Sequence, residues 1–67
     1  MKPGKYIHYK GGLYKVIGTA IHSETGEELV VYKSLSDNKL WVRPKRMFLE
    51  KVNLGDKQIS RFKYIGG

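Results

Sequence analysis

Leu40-Trp41-Val42-Arg43-Pro44-Lys45-Arg46-Met47-Phe48-Leu49-Glu50 decides how the chain is read. It holds the only Trp, the densest positive charge and the one internal Pro. Pro44 lacks an N–H and biases Arg43 away from helical geometry. A strand over residues 40–43 is therefore expected to end there, followed by a short 3₁₀ turn through Lys45 and Arg46. Extended structure is expected to resume over residues 48–52.

Working outward, residues 28–35 combine Leu, Val and Tyr, and the Ser36-Asp37-Asn38-Lys39 connection suits a tight turn, because Asp and Asn bond their own backbone and tolerate left-handed geometry. Residues 13–22 are also β-branched and aromatic, and Gly18 inside them predicts a bulge or sharp bend. The polar Ser23-Glu24-Thr25-Gly26-Glu27 segment joins these two stretches, with Gly26 supplying the positive φ of a hairpin. It reads mainly as a solvated hairpin tip, and its acidity also suits a recognition loop or pairing with basic residues of another copy. Residues 5–10 alternate as a first short strand ended by Gly11-Gly12. Residues 53–57 form a last turn before a closing strand over residues 59–65.

No window of ten residues has helical period. Five or six short antiparallel strands in one small domain spanning 1–67, ordered over about 5–65, predict an all-β SH3-like barrel, with an OB-like barrel as the alternative. The expected core is Val16, Leu29, Val31, Leu40, Val42, Phe48, Val52 and Ile59, on a strand phase that a one-residue slip would invert.

Sixty-seven residues bury only about 60% of the surface the unfolded chain exposes, so a single small core is available. No Cys supplements it, which excludes disulfides and thiolate metal sites. No apolar run resembles a signal peptide or a membrane span, and a cytoplasmic, bacterial-type protein is the expectation. The net charge is +7 and lies mostly in the second half: residues 1–33 carry five Lys and three Glu, whereas residues 34–67 carry eight Lys or Arg and three Asp or Glu. Such a balance suits a polyanionic partner, and surplus Lys also serves solubility alone.

The chain resembles a family of short bacterial proteins known only as a domain of unknown function. The resemblance rests on His8-Tyr9-Lys10-Gly11-Gly12-x-Tyr14-x-Val16, on His22-Ser23-Glu24-Thr25-Gly26-Glu27-x-Leu29-Val30-Val31-Tyr32, and on Leu40-Trp41-Val42-Arg43-Pro44-x-x-Met47-Phe48, covering about residues 5–65. It implies a stand-alone cytosolic β domain with no assigned activity, substrate or catalytic residue.

The residues themselves speak against catalysis: there are six carboxylates, no thiol, and His8 and His22 fall in separate segments. No cofactor is expected. His8, His22 and Glu24 have donor chemistry suited to zinc but no ligand spacing, and each His reads as a strand-end residue bonding nearby backbone. The terminal Gly66-Gly67 matches ubiquitin-like sulfur carriers, whose crossover helix this chain lacks. The strongest functional signal is aromatic and basic. With Leu40 and Val42 facing the core, Trp41 and Arg43 share the opposite face, Lys45 and Arg46 follow, and Tyr32 joins from the neighbouring strand. That face suits single-stranded nucleic acid, whose bases stack on rings while cations follow phosphates. It also suits an SH3-type groove for a protein or peptide partner. In a third reading Trp41 is a core or rim anchor carrying Arg43 as a cation–π pair.

Overall fold

The computed structural model describes all residues, Met1–Gly67. Seven strands and one helical turn follow in order: β1 (Gly4–His8), β2 (Leu13–Ile21), β3 (Glu28–Ser34), β4 (Leu40–Pro44), α1 (Lys45–Phe48), β5 (Lys51–Leu54), β6 (Lys57–Ser60) and β7 (Phe62–Gly66). An antiparallel five-stranded sheet has the order β4-β3-β2-β1-β7, and β5 and β6 form a separate two-stranded sheet. The fold is all-β. Strands β4 and β7 are the edges of the larger sheet, and no ladder joins them into a closed barrel.

The turns follow from local chemistry. Gly26 has φ 73° in the β2–β3 hairpin, where the Gly26 N–H donates to the His22 carbonyl at 2.9 Å. Between β3 and β4, Asn38 takes the left-handed φ of 60°, and Asp37 Oδ1 accepts the Lys39 N–H at 3.1 Å. The register of β2 on β3 slips between Val16 and Gly18, leaving Ile17 as the extra residue of a bulge.

Three expectations are corrected here. Seven strands form rather than five or six, because the closing segment breaks at Arg61 into β6 and β7. The backbone N–H of Arg61 donates to the Glu50 carbonyl at 3.1 Å and its carbonyl accepts the Tyr9 N–H at 2.9 Å, tying the β5–β6 hairpin to the main sheet. The residues after Pro44 form one α-helical turn rather than a 3₁₀ turn, with the Leu49 N–H donating to the Lys45 carbonyl at 3.0 Å. Extended structure therefore resumes only at Lys51.

The core consists of Tyr6, Val16, Val30, Tyr32, Phe48 and Phe62, with Tyr14 packed against it. Phe48 and Phe62 stack with centroids 4.1 Å apart, and Tyr6 and Tyr32 meet Phe48 edge-on at 5.7 and 5.4 Å. A four-residue helix has no stability of its own, so α1 exists because Phe48 is buried in this cluster. Val16 and Phe48 are where the sequence put them. Leu29 and Val31 are not: they are half-buried on the outer face, while Val30 and Tyr32 point inward. Leu40 and Val42 are exposed, and Val52 and Ile59 are only half-buried in the small hairpin. The reason is that β3 and β4 are apolar on both faces, so alternation alone does not fix their phase.

Candidate binding cleft

The β3–β4 turn sets the register that builds the site. Ser34 N–H donates to the Lys39 carbonyl at 3.0 Å, and from there Tyr32 lies opposite Trp41 and Val30 opposite Arg43. Trp41 and Arg43 thus share a face, as expected, but it is the inner face of the sheet, at its edge. Because β4 is an edge strand, Trp41 lies at the margin of the aromatic cluster and stays 49% exposed.

A cleft of about 390 Å³ opens there. Tyr14 and Tyr32 line it from the core side, Ser34, Ser36 and Asp37 from the turn, and Trp41 and Arg43 from β4. The Ser34 and Ser36 hydroxyls bond each other at 2.9 Å. Asp37 already accepts the Lys39 N–H through Oδ1, which leaves Oδ2 and a second lone pair on Oδ1. The Arg43 guanidinium lies over the Phe62 ring at 6.0 Å rather than on Trp41. Arg46 and Arg61 are engaged by Glu27 and Glu50 at 3.2 and 2.9 Å, so Arg43 is the one arginine without a carboxylate partner.

The five residues singled out in the sequence therefore divide. Tyr32, Trp41 and Arg43 line one cleft, although Tyr32 is only 6% exposed and so is no second open stacking ring. Lys45 and Arg46 lie elsewhere. The antiparallel register sets Pro44 opposite Leu29, so they follow at the start of β3, where Lys45 pairs with Glu28 at 3.5 Å and Arg46 with Glu27. Tyr14, Ser34, Ser36 and Asp37 were missed. Their signal was the hairpin register, which any reading of the Asp37-Asn38 turn contains.

A second cleft, of about 580 Å³, lies between the β1–β2 turn and β6 and is lined in part by Ile7, His8, Ile59 and Lys63. His8 stacks edge-on to Phe62 at 4.9 Å and accepts the Lys10 N–H on Nδ1 at 3.1 Å. Burial holds its pKa below the usual 6.5, and the positive charges of Arg61, Arg43 and Lys10 add to the effect. His22 likewise accepts the Glu24 N–H on Nδ1 at 3.1 Å. No group of three His, Cys, Asp or Glu side chains gathers at a metal-binding distance. No helix is long and apolar enough to cross a membrane.

Comparison with known proteins adds a family. The family described as "Protein of unknown function (DUF1653)" matches residues 4–64. A crystal structure of a DUF1653 protein from Bordetella bronchiseptica superposes with a TM-score of 0.89 at 38% identity, over 98% of this chain and 88% of that one. No protein of curated function matches the chain.

Proposed function

The chain belongs to the DUF1653 family, and we propose that it is a non-enzymatic, cytosolic binding domain that holds single-stranded nucleic acid in the Trp41–Arg43 cleft. One observation carries the reading: the half-exposed Trp41 and the only arginine free of a carboxylate line the same cleft. A base stacked on a Trp ring is worth about 1–3 kcal/mol, and a neighbouring guanidinium supplies the cation that a phosphate or base edge needs. The surplus of +7 favours approach of a polyanion. Lys45 and Arg46, held by Glu28 and Glu27, contribute to that field but not to the cleft.

The test is binding of a labelled single-stranded oligonucleotide, followed by anisotropy at low and raised salt. Wild-type affinity should fall as salt rises. Arg43→Ala and Trp41→Leu should each weaken binding about tenfold or more, in line with loss of one charged contact or one stacked base. Absence of binding at low salt refutes the proposal.

A protein partner, including a second copy, is the other reading. Tyr32 with Trp41 and Val30 with Arg43 continue the hydrogen-bonded alternation set by Ser34 and Lys39, so the polar backbone of Leu40 and Val42 faces outward along a free edge. Their side chains are 65% and 59% exposed. Pro44 takes the next outward position and, having no N–H, blunts that edge. Sedimentation of the protein across a concentration series distinguishes this reading, since edge pairing requires a dimer.

A further inference from the structure

The cleft contains one group that a plain phosphate track would not have. Asp37 places a carboxylate beside Trp41 and Arg43, and a carboxylate only accepts hydrogen bonds at neutral pH and repels phosphate. It needs donors. Among the common bases, guanine alone presents two adjacent donors on its Watson–Crick edge, the N1–H and the exocyclic amine, and its opposite edge presents O6 and N7 as paired acceptors. Adenine and cytosine place an acceptor ring nitrogen where the carboxylate would sit, and uracil offers one N–H flanked by two carbonyls.

We infer that the cleft reads a single guanine, stacked on Trp41, with Asp37 accepting from N1–H and the amine and Arg43 donating to both O6 and N7. This rests on the nucleic-acid reading of the same cleft and names the base it selects. Both reading groups have the needed capacity unspent. Asp37 has used one of about four lone-pair sites, on the Lys39 N–H. Arg43 is positioned by a ring face, over Phe62 at 6.0 Å, which leaves its in-plane N–H donors unclaimed by any carboxylate. Arginine opposite O6 and N7 is the commonest specific contact to guanine. The volume of about 390 Å³ is near the lower end for ligand pockets and fits one base rather than a run of them. The Ser34 and Ser36 hydroxyls beside Asp37, bonded to each other, line the same wall and are available to sugar or base oxygens.

The experiment uses the full chain and short oligouridylates that differ only at one central position, carrying guanosine, adenosine, inosine or 7-deazaguanosine, with affinity read by anisotropy. Guanosine should bind about tenfold tighter than adenosine, the scale of one bidentate base contact. Inosine, which lacks the amine, and 7-deazaguanosine, which lacks N7, should each lose most of that advantage. Asp37→Asn keeps an oxygen for the Lys39 N–H and removes the charge. It should erase the preference for guanosine over adenosine. Equal affinity for guanosine and adenosine, with binding intact, overturns the inference and leaves the nucleic-acid reading standing. No binding to any of the four overturns both.

Discussion

Replacing Phe48 with Ala should remove the larger part of this protein's stability. Phe48 is 1% exposed, stacks on Phe62 at 4.1 Å and is met edge-on by Tyr6 and Tyr32. Truncation of a fully buried Phe costs about 3–5 kcal/mol, combining lost transfer energy with the cavity left behind. Three ring partners and a helix that exists only through this side chain place the cost near the middle, at about 4 kcal/mol. A domain of this length is stable by roughly 3–10 kcal/mol, so the variant is largely unfolded or close to it. Phe48→Leu keeps apolar volume and loses the ring contacts, and should cost about 1–1.5 kcal/mol, a scale set by aromatic pairs. Urea titration followed by far-ultraviolet circular dichroism gives both values. A loss below about 1.5 kcal/mol for Phe48→Ala, with an unchanged denaturant slope, would refute the claim that α1 is pinned by the aromatic cluster.

Gly4→Ala should destabilise by about 2 kcal/mol or more: its φ is 133°, and a Cβ there would meet the Gly66 carbonyl oxygen at 2.7 Å. Gly18→Ala, which meets nothing within 4 Å, should be near neutral in the same urea assay. His8 gives a pH dependence. Its folded pKa lies below 6.5, so the unfolded chain binds the proton first, and stability that is intact above pH 6.5 should fall as pH drops through the folded pKa. The urea midpoint of His8→Asn should show a flatter pH profile than that of the wild type. Lys45→Ala and Arg46→Ala should each cost about 0.5 kcal/mol or less, because their pairs with Glu28 and Glu27 are exposed. By anisotropy, each should also weaken oligonucleotide binding less than Arg43→Ala does.

Much of the fold could be read from the residues. The turn at Asp37 and Asn38, the positive φ of Gly26 and the bulge beside Gly18 each follow from one residue's backbone freedom or side-chain bonding, and the strands between them fall where β-branched residues cluster. The phase of β3 and β4 could not be read the same way. Glu28-Leu29-Val30-Val31-Tyr32 is apolar at both parities, and what settles the phase is packing: Tyr32 and Val30 meet Phe48 and Phe62, residues distant in sequence.

The site was partly legible for the same reason. Trp41 and Arg43 remain neighbours whichever face is inward, since they are two apart on one strand, and Tyr32 follows from the turn register. Lys45 and Arg46 were placed just beyond the aromatic face because the β3–β4 register was not fixed: Pro44 lies opposite Leu29, so the residues after it come alongside the start of β3. There both cations are engaged by glutamates, Lys45 by Glu28 at the start of β3 and Arg46 by Glu27 just before it. Asp37 was read as a turn residue only, and its second position, on the cleft wall, depends on how the hairpin folds over Tyr14 and Tyr32.

The most direct measurement of the central claim uses Trp41 as its own reporter, being the only Trp in the chain. Its fluorescence is recorded for the free protein and during titration with a short single-stranded oligonucleotide at low and raised salt. The account expects the red-shifted emission of a half-exposed indole, quenched on titration, with the midpoint moving to higher concentration as salt rises. Emission that the oligonucleotide leaves unchanged at low salt would contradict it and leave Trp41 as a rim anchor beside a cleft for some other partner.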